Sequence, residues 1–471
     1  MRYAARFLPA ALSIAAVLAV APAMAKPSIS PQAEAQVVAL TREVVAMRSV
    51  SGPGNRTGDV ARAFKAALLA GGWAERDVEI VPVDDTAYLI ATWPGSDPSL
   101  GPVVISAHMD VVEARPEDWQ RDPFTPVIEN GMLYGRGTSD TKFDAALALV
   151  SLAELRRQGF SPKRSIVIAY SGDEETSMKT SKLIADRLAH ADLVLNVDGA
   201  SGVLAEETGK PLYWSWQGAE KTYVDYRLEV TNPGGHSSAP RKDNAIAQLG
   251  SALARIAAHD FPAEVNPITR GYFEQAAALQ SDPKVAAAMR AFAADPADAA
   301  AVSVLAADPY VNGKLRTTCV PTMIDGGHAQ NALPQRATAN VNCRIFPGHS
   351  REEIRTALEQ VVADPAIRIT DVSGNDTTTS PASPVRADFV GAATRAIRKA
   401  WGKVPVIPSQ ASGASDSMWY RAKGVASYSA SPTMMRESDD FAHGLNERVP
   451  LGGVRPGLVY YTALLTELAA K

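Results

Sequence analysis

Apolar and polar positions along this chain follow two periods, and the switches between them predict its elements. From Val103 to Asp198, strand-like apolar runs each stop at a carboxylate or a histidine. VVISAHMDVVEA carries His108 and Asp110, GRGTSDTKFD carries Asp140, IVIAYSGDEETS carries Glu174 and Glu175, and LVLNVDGA carries Asp198. Between the second and third runs, DAALALVSLAELRRQG has helical periodicity and stops at Gly159, which places Asp140 just ahead of a helix N-terminus. Buried β-runs alternating with helices predict an α/β sheet that delivers these side chains to the crevice at its strand ends.

Upstream, apolar positions from Val37 to Met47 share one helical face, and a Gly/Ser/Pro break at 49–54 precedes a second helix over 57–70. After Asp198 the period changes to two: 212–216 and 222–230 alternate like half-exposed antiparallel strands. A loop holding His236 leads into a helix over 245–258, and alanine-rich helices follow over 274–305. The strands around Cys319 and Cys343, a helix over 351–362 and a strand near 367–372 complete a β-α-β-β-α-β order. It predicts a smaller α+β domain with a four-stranded antiparallel sheet, inserted into the first domain. The expected boundaries are 26–212 and 378–471 for the two parts of the first domain and 213–377 for the inserted one. If the two cysteine strands pair as a hairpin, their sulfurs face each other; a disulfide and two buried thiols are both open.

Composition narrows the setting. Residues 1–25 carry Arg2 and Arg6, an apolar run from Phe7 to Val20 and Ala23-Met24-Ala25, the pattern of a signal peptide cut after Ala25. Export to the periplasm or beyond is expected, with no stable membrane insertion after the signal is removed. The net charge of -4 becomes -6 when Arg2 and Arg6 leave, which offers no electrostatic case for nucleic acid.

The strand endings suggest a metal site. Taken singly, His108 or Asp198 reads as a cap or a loop contact, and Glu174-Glu175 as a solvated pair. Their recurrence after apolar runs, at about the spacing of one βαβ unit, points instead to one centre. A pair of ions needs about five protein ligands plus a base. His108, Asp140, Glu175 and Asp198 supply four, and Glu174 is a spare carboxylate beside a ligand. Of the seven histidines, His443 in the polar loop DDFAHGLNE is the best remaining candidate.

HMDVV, GRGTSDTK, SGDEET, NVDG, GGHSSAP, NALP with NCR after it, ASGASD and FAHGLNE together resemble the successive motifs of metallopeptidase family 20. The resemblance covers about residues 30–470 and is nearest in look to the branch containing carboxypeptidase S and the N-fatty-acyl-amino-acid hydrolases. It implies a zinc-peptidase-like central mixed sheet flanked by helices and two Zn²⁺ per subunit, with Co²⁺ or Mn²⁺ as possible substitutes. Asp140 would bridge the ions, His108 and Asp198 would complete the first, and Glu175 and His443 the second. Asp110 would orient the His108 imidazole, and Glu174 would be the general base. His236 would stabilise the oxyanion from a neighbouring subunit, and Asn331, Arg344, Gly413 and Asp416 would contact substrate. Where some family members carry Glu, this chain has Asp198, which puts their terminal-specificity rules in doubt.

The resemblance implies that the first domain is catalytic and that the inserted domain, 213–377, is a lid and dimerisation domain. The expected activity is hydrolysis of amide bonds in peptides or N-acyl amino acids, of carboxypeptidase, dipeptidase or aminoacylase type, by a homodimer joined through that lid. Two other readings are a hydrolase of a specialised amide or carbamate and a non-catalytic zinc-dependent binding protein of the same fold.

Overall fold

The computed structural model describes residues 29–470, so the expected signal peptide lies outside the described residues. Three parallel neighbours sit at the centre of the main sheet: Ile166–Ser171, Val103–His108 and Leu193–Asn196. All three are buried throughout, as a sheet covered on both faces requires. Thr86–Trp93 and then Val78–Val83 extend it antiparallel on one side. On the other side come Ser427–Ser429, Pro211–Glu220, Gly202–Leu204 and Met434–Met435, with Val406–Ala411 pairing parallel to Pro211–Glu220. The result is a ten-stranded mixed sheet.

Helices Pro31–Val45, Thr57–Ala70, Phe143–Arg157, Ala387–Trp401 and Val454–Ala469 pack on the sheet in one large apolar cluster. Lys179–Arg187 and Ser417–Ala422 cover part of the opposite face. Phe143–Arg157 is buried almost all round, because Val454–Ala469 and Pro31–Val45 both lie against it. Its contact with Val454–Ala469 is close enough that a Cβ on Gly457 would sit 2.3 Å from Leu147 Cδ2.

The second sheet has the order Thr318–Gly326, Arg336–Ile345, Thr222–Thr231, Ile367–Asp371, antiparallel throughout, as its sequence pattern predicts. Val224, Tyr226, Leu228 and Val230 point to one face and are buried with Leu249, Ile354 and Leu358 of helices Ala245–Ala257 and Arg351–Val362. Each such aliphatic side chain contributes roughly 1.5–3 kcal/mol. The opposite face, with Tyr223, Asp225 and Arg344, carries no helix of this cluster.

The chain departs from the expected segmentation in two places. It leaves the main sheet at Lys221 rather than after 212, because Trp214 and Trp216 belong to the main core. The alanine-rich region forms helices Pro267–Ala276, Pro283–Ala294, Ala299–Leu305 and Pro309–Leu315, capped by Asn266, Asp282, Asp298 and Asp308. These pack around Phe273, Phe292 and Leu315 onto Ile407 of the main sheet, so they thicken that sheet's flank rather than the small sheet. Among the described residues no helix is long and apolar enough to cross a membrane.

Cys319 and Cys343 are directly opposed on adjacent strands and form a disulfide, which settles the alternative left open by the sequence. Closing a loop across a separation of 24 residues stabilises the folded chain by about 3 kcal/mol in the chain-entropy account. Replacing both cysteines by alanine should lower the urea-unfolding free energy of the protein by about that amount; an unchanged midpoint and slope would contradict it.

Candidate metal centre

The strand ends bring the proposed ligands together. His108 is the last residue of Val103–His108, and only 1% of its surface is exposed. Its Nδ1 lies 3.0 Å from the Asp110 main-chain oxygen, which turns Nε2 toward Asp140 Oδ1 at 2.8 Å. The other Asp140 oxygen is 3.1 Å from His443 Nε2, and that nitrogen is 2.9 Å from Glu175 Oε1. One carboxylate therefore faces two imidazoles, one with each oxygen. Ligand atoms of His108, Asp140 and Glu175 all lie within 4.8 Å of one another.

Asp198 follows Leu193–Asn196 and lines a cavity with Asp140, without a direct contact to His108 among the described residues. Burial, then the Asp140 charge, pushes its carboxyl up to about 8. Burial opposes ionisation of Asp140 too, but hydrogen bonds with His108 and His443 outweigh it and hold that carboxyl low. Bonds to Asp140 and Glu175 lift His443 to about 10. Burial also pushes Glu174 well up, relieved by His108 and reinforced by Asp198, Asp416 and Glu175. Four acids thus share a largely desolvated space with two imidazoles, an excess of oxygen donors that divalent cations would neutralise. The nitrogen and oxygen donors fit zinc, and they fit cobalt or manganese.

Local sequence explains how the acids are held. Gly172 passes so close to Thr86–Trp93 that a Cβ would lie 2.1 Å from Ala87 O. Asp173 accepts from the main-chain N–H of Lys179 at 2.8 Å and of Thr180 at 2.9 Å, anchoring the turn that carries Glu174 and Glu175. Asp110 stands against the His108 ring, its carboxylate 3.6 Å from Nδ1 and, against the opposing effect of burial, raising the imidazole pKa. It also accepts from Glu174 N at 3.1 Å and Glu175 N at 3.0 Å. One carboxylate therefore faces the ring and holds the Glu174–Glu175 turn through its peptide groups.

Three residues not assigned from the sequence complete the assembly. Glu447, fully buried, accepts from Ser139 N at 2.8 Å and Asp140 N at 3.1 Å with one oxygen. Its other oxygen accepts from Gly137 N at 3.0 Å and Arg136 at 2.7 Å, and Arg136 also donates to His443 O at 3.2 Å. The signal was present in FAHGLNE, where an acid follows the histidine by four positions, and in the arginine of GRG. Lys142, also buried, donates to Val44 O and Met47 O at the end of Pro31–Val45.

The remaining expected residues divide. Arg344 shares a cavity of about 640 Å³ with Glu174, Glu175 and His443. Its guanidinium lies 4.6 Å from the Tyr223 ring centroid and donates to Ser412 O at 3.0 Å, beside Gly413, which borders open space. Asp416 does not reach the cleft surface: it is buried behind the strand ends, where Ser171 Oγ donates to it at 2.7 Å. His236 and Asn331 are exposed on the ribbon that pairs Gly235–His236 with Ala332–Leu333, and neither lines a cavity containing the ligand cluster.

The model of Peptidase family M20/M25/M40 matches residues 104–467. The chain belongs to this family. It is 30% identical over 370 residues to the N-fatty-acyl-amino acid synthase/hydrolase PM20D1 of Mus musculus, covering 75% of this chain and 72% of that protein. Carboxypeptidase S of Saccharomyces cerevisiae is 29% identical over 274 residues, 55% of this chain and 47% of that one. The fold is similar to that of the M20 metallo-carboxypeptidase Sso-CP2 from Sulfolobus solfataricus, with TM-score 0.67, 19% identity and coverage of 92% and 98%. It is also similar to human carnosine dipeptidase 1, with TM-score 0.61, 17% identity and coverage of 93% and 97%. Membership makes this an M20-family hydrolase of amide bonds.

Because Glu447 links the Asp140 turn to the His443 loop, Glu447→Gln should weaken metal binding by roughly 10–100-fold, as loss of a ligand-orienting partner does. Competition against a chromogenic chelator measures this. An affinity equal to that of the unaltered protein, in a variant with an unchanged circular-dichroism spectrum, would remove the positioning role.

Proposed function

We propose that the protein is an exported, dinuclear zinc-dependent hydrolase that removes the C-terminal amino acid from small peptides or N-acyl amino acids. The observation that carries this reading is Glu174. It is a buried carboxylate beside the ligand cluster, and among the described residues nothing hydrogen-bonds to its oxygens. It shares a cavity with Arg344, whose guanidinium pairs with no carboxylate among the described residues.

His108, Asp198, Asp140, Glu175 and His443 would hold the two ions, with Asp140 common to both. When bound, such ions supply Lewis acidity that lowers the pKa of an attacking water and polarises the amide carbonyl. Glu174 takes a proton from the water as its oxygen bonds to the carbonyl carbon. Glu174 then delivers that proton to the amide nitrogen as the C–N bond breaks. Arg344 pairs with the carboxylate of the departing amino acid and so sets the position of the amide. A protein that only binds zinc has no use for Glu174, which favours the hydrolase reading over the binding-protein one.

Homodimerisation fits the small sheet. Its edge strand, Thr318–Gly326, exposes Val320, Met323 and Ile324, an apolar edge that a second copy would cover. His236, exposed and outside its own cleft, would then serve the partner's site. Residues 1–25 and the Cys319–Cys343 bond favour an oxidising compartment outside the cytoplasm. The mature chain should begin at Lys26, which N-terminal sequencing of the native protein checks.

Glu174→Gln should lower kcat/KM on a dipeptide panel by roughly 10²–10⁴-fold while the zinc content stays unchanged. Activity within a few-fold of the unaltered enzyme would end this assignment. In a verified heterodimer, one subunit with His236→Ala and the other with Glu174→Gln should regain activity at one site. No recovery would exclude a contribution across the interface.

A further inference from the structure

The cleft has a second chamber, and a single strand decides its chemistry. In Pro211–Glu220, Trp214 and Trp216 are buried in the main core, so Tyr213, Ser215 and Gln217 turn to the other face. There they line a cavity of about 350 Å³ that also contains Asp140 and Asp198. Hydroxyls of Ser201, Ser431 and Thr433 continue its wall, and Val197, Val203, Met435 and Val449 supply its apolar part. Ser431 and Thr433 already donate to Asp144, and Ser215 to Ser201 O at 3.1 Å. Gln217 differs, because among the described residues nothing hydrogen-bonds to its carboxamide. That group lies over Gly199, where an added Cβ would come within 3.1 Å of its Oε1.

This chamber and the 640 Å³ cavity holding Arg344 share no lining residue, and each contains different members of the candidate ligand cluster. One contains Asp140 and Asp198, the other Glu174, Glu175 and His443. With the departing amino acid anchored at Arg344, the acyl half of the substrate falls into the second chamber. That step rests on the hydrolase reading above.

We propose that the chamber takes the acyl half as a short amino-acid residue with a hydrogen-bonding side chain, paired with Gln217, and discriminates against long alkyl chains. A methylene chain laid against Gln217 leaves its N–H and C=O groups without water and without a partner, whereas a carboxamide or hydroxyl side chain satisfies them. The preference therefore differs from the N-fatty-acyl substrates named for the mouse relative.

The test uses the metal-loaded enzyme and four substrates that release phenylalanine: glycyl-, leucyl-, glutaminyl- and N-palmitoyl-phenylalanine. The glutaminyl substrate should exceed the leucyl one in kcat/KM by roughly tenfold or more, and the palmitoyl one by roughly a hundredfold. Gln217→Leu should abolish or invert the glutaminyl-to-leucyl ratio. Both rates come from one preparation, so the ratio is independent of the folded fraction. Cleavage of the glycyl substrate with palmitoyl preferred, or a ratio unchanged by Gln217→Leu, overturns the proposal and leaves the hydrolase reading standing. No cleavage of any substrate by metal-bound enzyme overturns both.

Discussion

Everything in the site depends on Asp140 standing between two imidazoles that come from opposite ends of the chain. His108 reaches one oxygen from the end of a central parallel strand, and His443 reaches the other from a loop that forms only after the chain has returned to the main sheet. Such a group cannot assemble from a local segment. The Asp140 turn is consequently fixed by distant contacts, with Glu447 collecting its main-chain N–H groups and Lys142 fastening it to the first helix. Buried and desolvated, these hydrogen bonds are costly to leave unmade, which favours one arrangement over near alternatives.

The sequence made the strand-end acids and histidine legible because two independent patterns coincide there. A continuous apolar run marks a strand buried on both faces, and a charged or imidazole residue at its end has nowhere to go except the crevice. That logic reaches His108, Glu174, Glu175 and Asp198. It reaches the four-stranded antiparallel sheet as well, since alternation in Thr222–Thr231 sorts residues to opposite faces. It does not reach Glu447, Arg136 or the true placement of Asp416. Each is a charged residue in a polar stretch, where burial is decided by tertiary contacts and leaves no periodic trace. The same limit explains the alanine-rich helices: their Asx caps are readable, but the surface they pack on is not.

Asp110 shows a different limit. A carboxylate two residues after a histidine invites the inference that it holds the ring, and it does lie 3.6 Å from Nδ1, behind a main-chain oxygen at 3.0 Å. What the motif does not show is that the same carboxylate also accepts from the Glu174 and Glu175 peptides. One residue of a motif can serve two members of the site, and only geometry reveals the second.

The strand leaving the main sheet joins these levels. Pro211–Glu220 presents Tyr213, Ser215 and Gln217 to one chamber, and after the single residue Lys221, Thr222–Thr231 presents Tyr223 and Asp225 to the other. Lys221 is itself buried, its ammonium donating to Thr318 Oγ1 at 3.3 Å, and burial pushes that group down to about 7. The link between the sheets is therefore packed on its sides as well as paired along its backbone. Walls on both sides of the scissile bond belong to one extended segment whose facing is locked by Trp214 and Trp216. A one-residue slip there would bury Ser215 and Gln217 in the core and expose both indoles, a cost of several kcal/mol from lost apolar burial alone. Substrate selection is thus tied to the same packing that stabilises the fold.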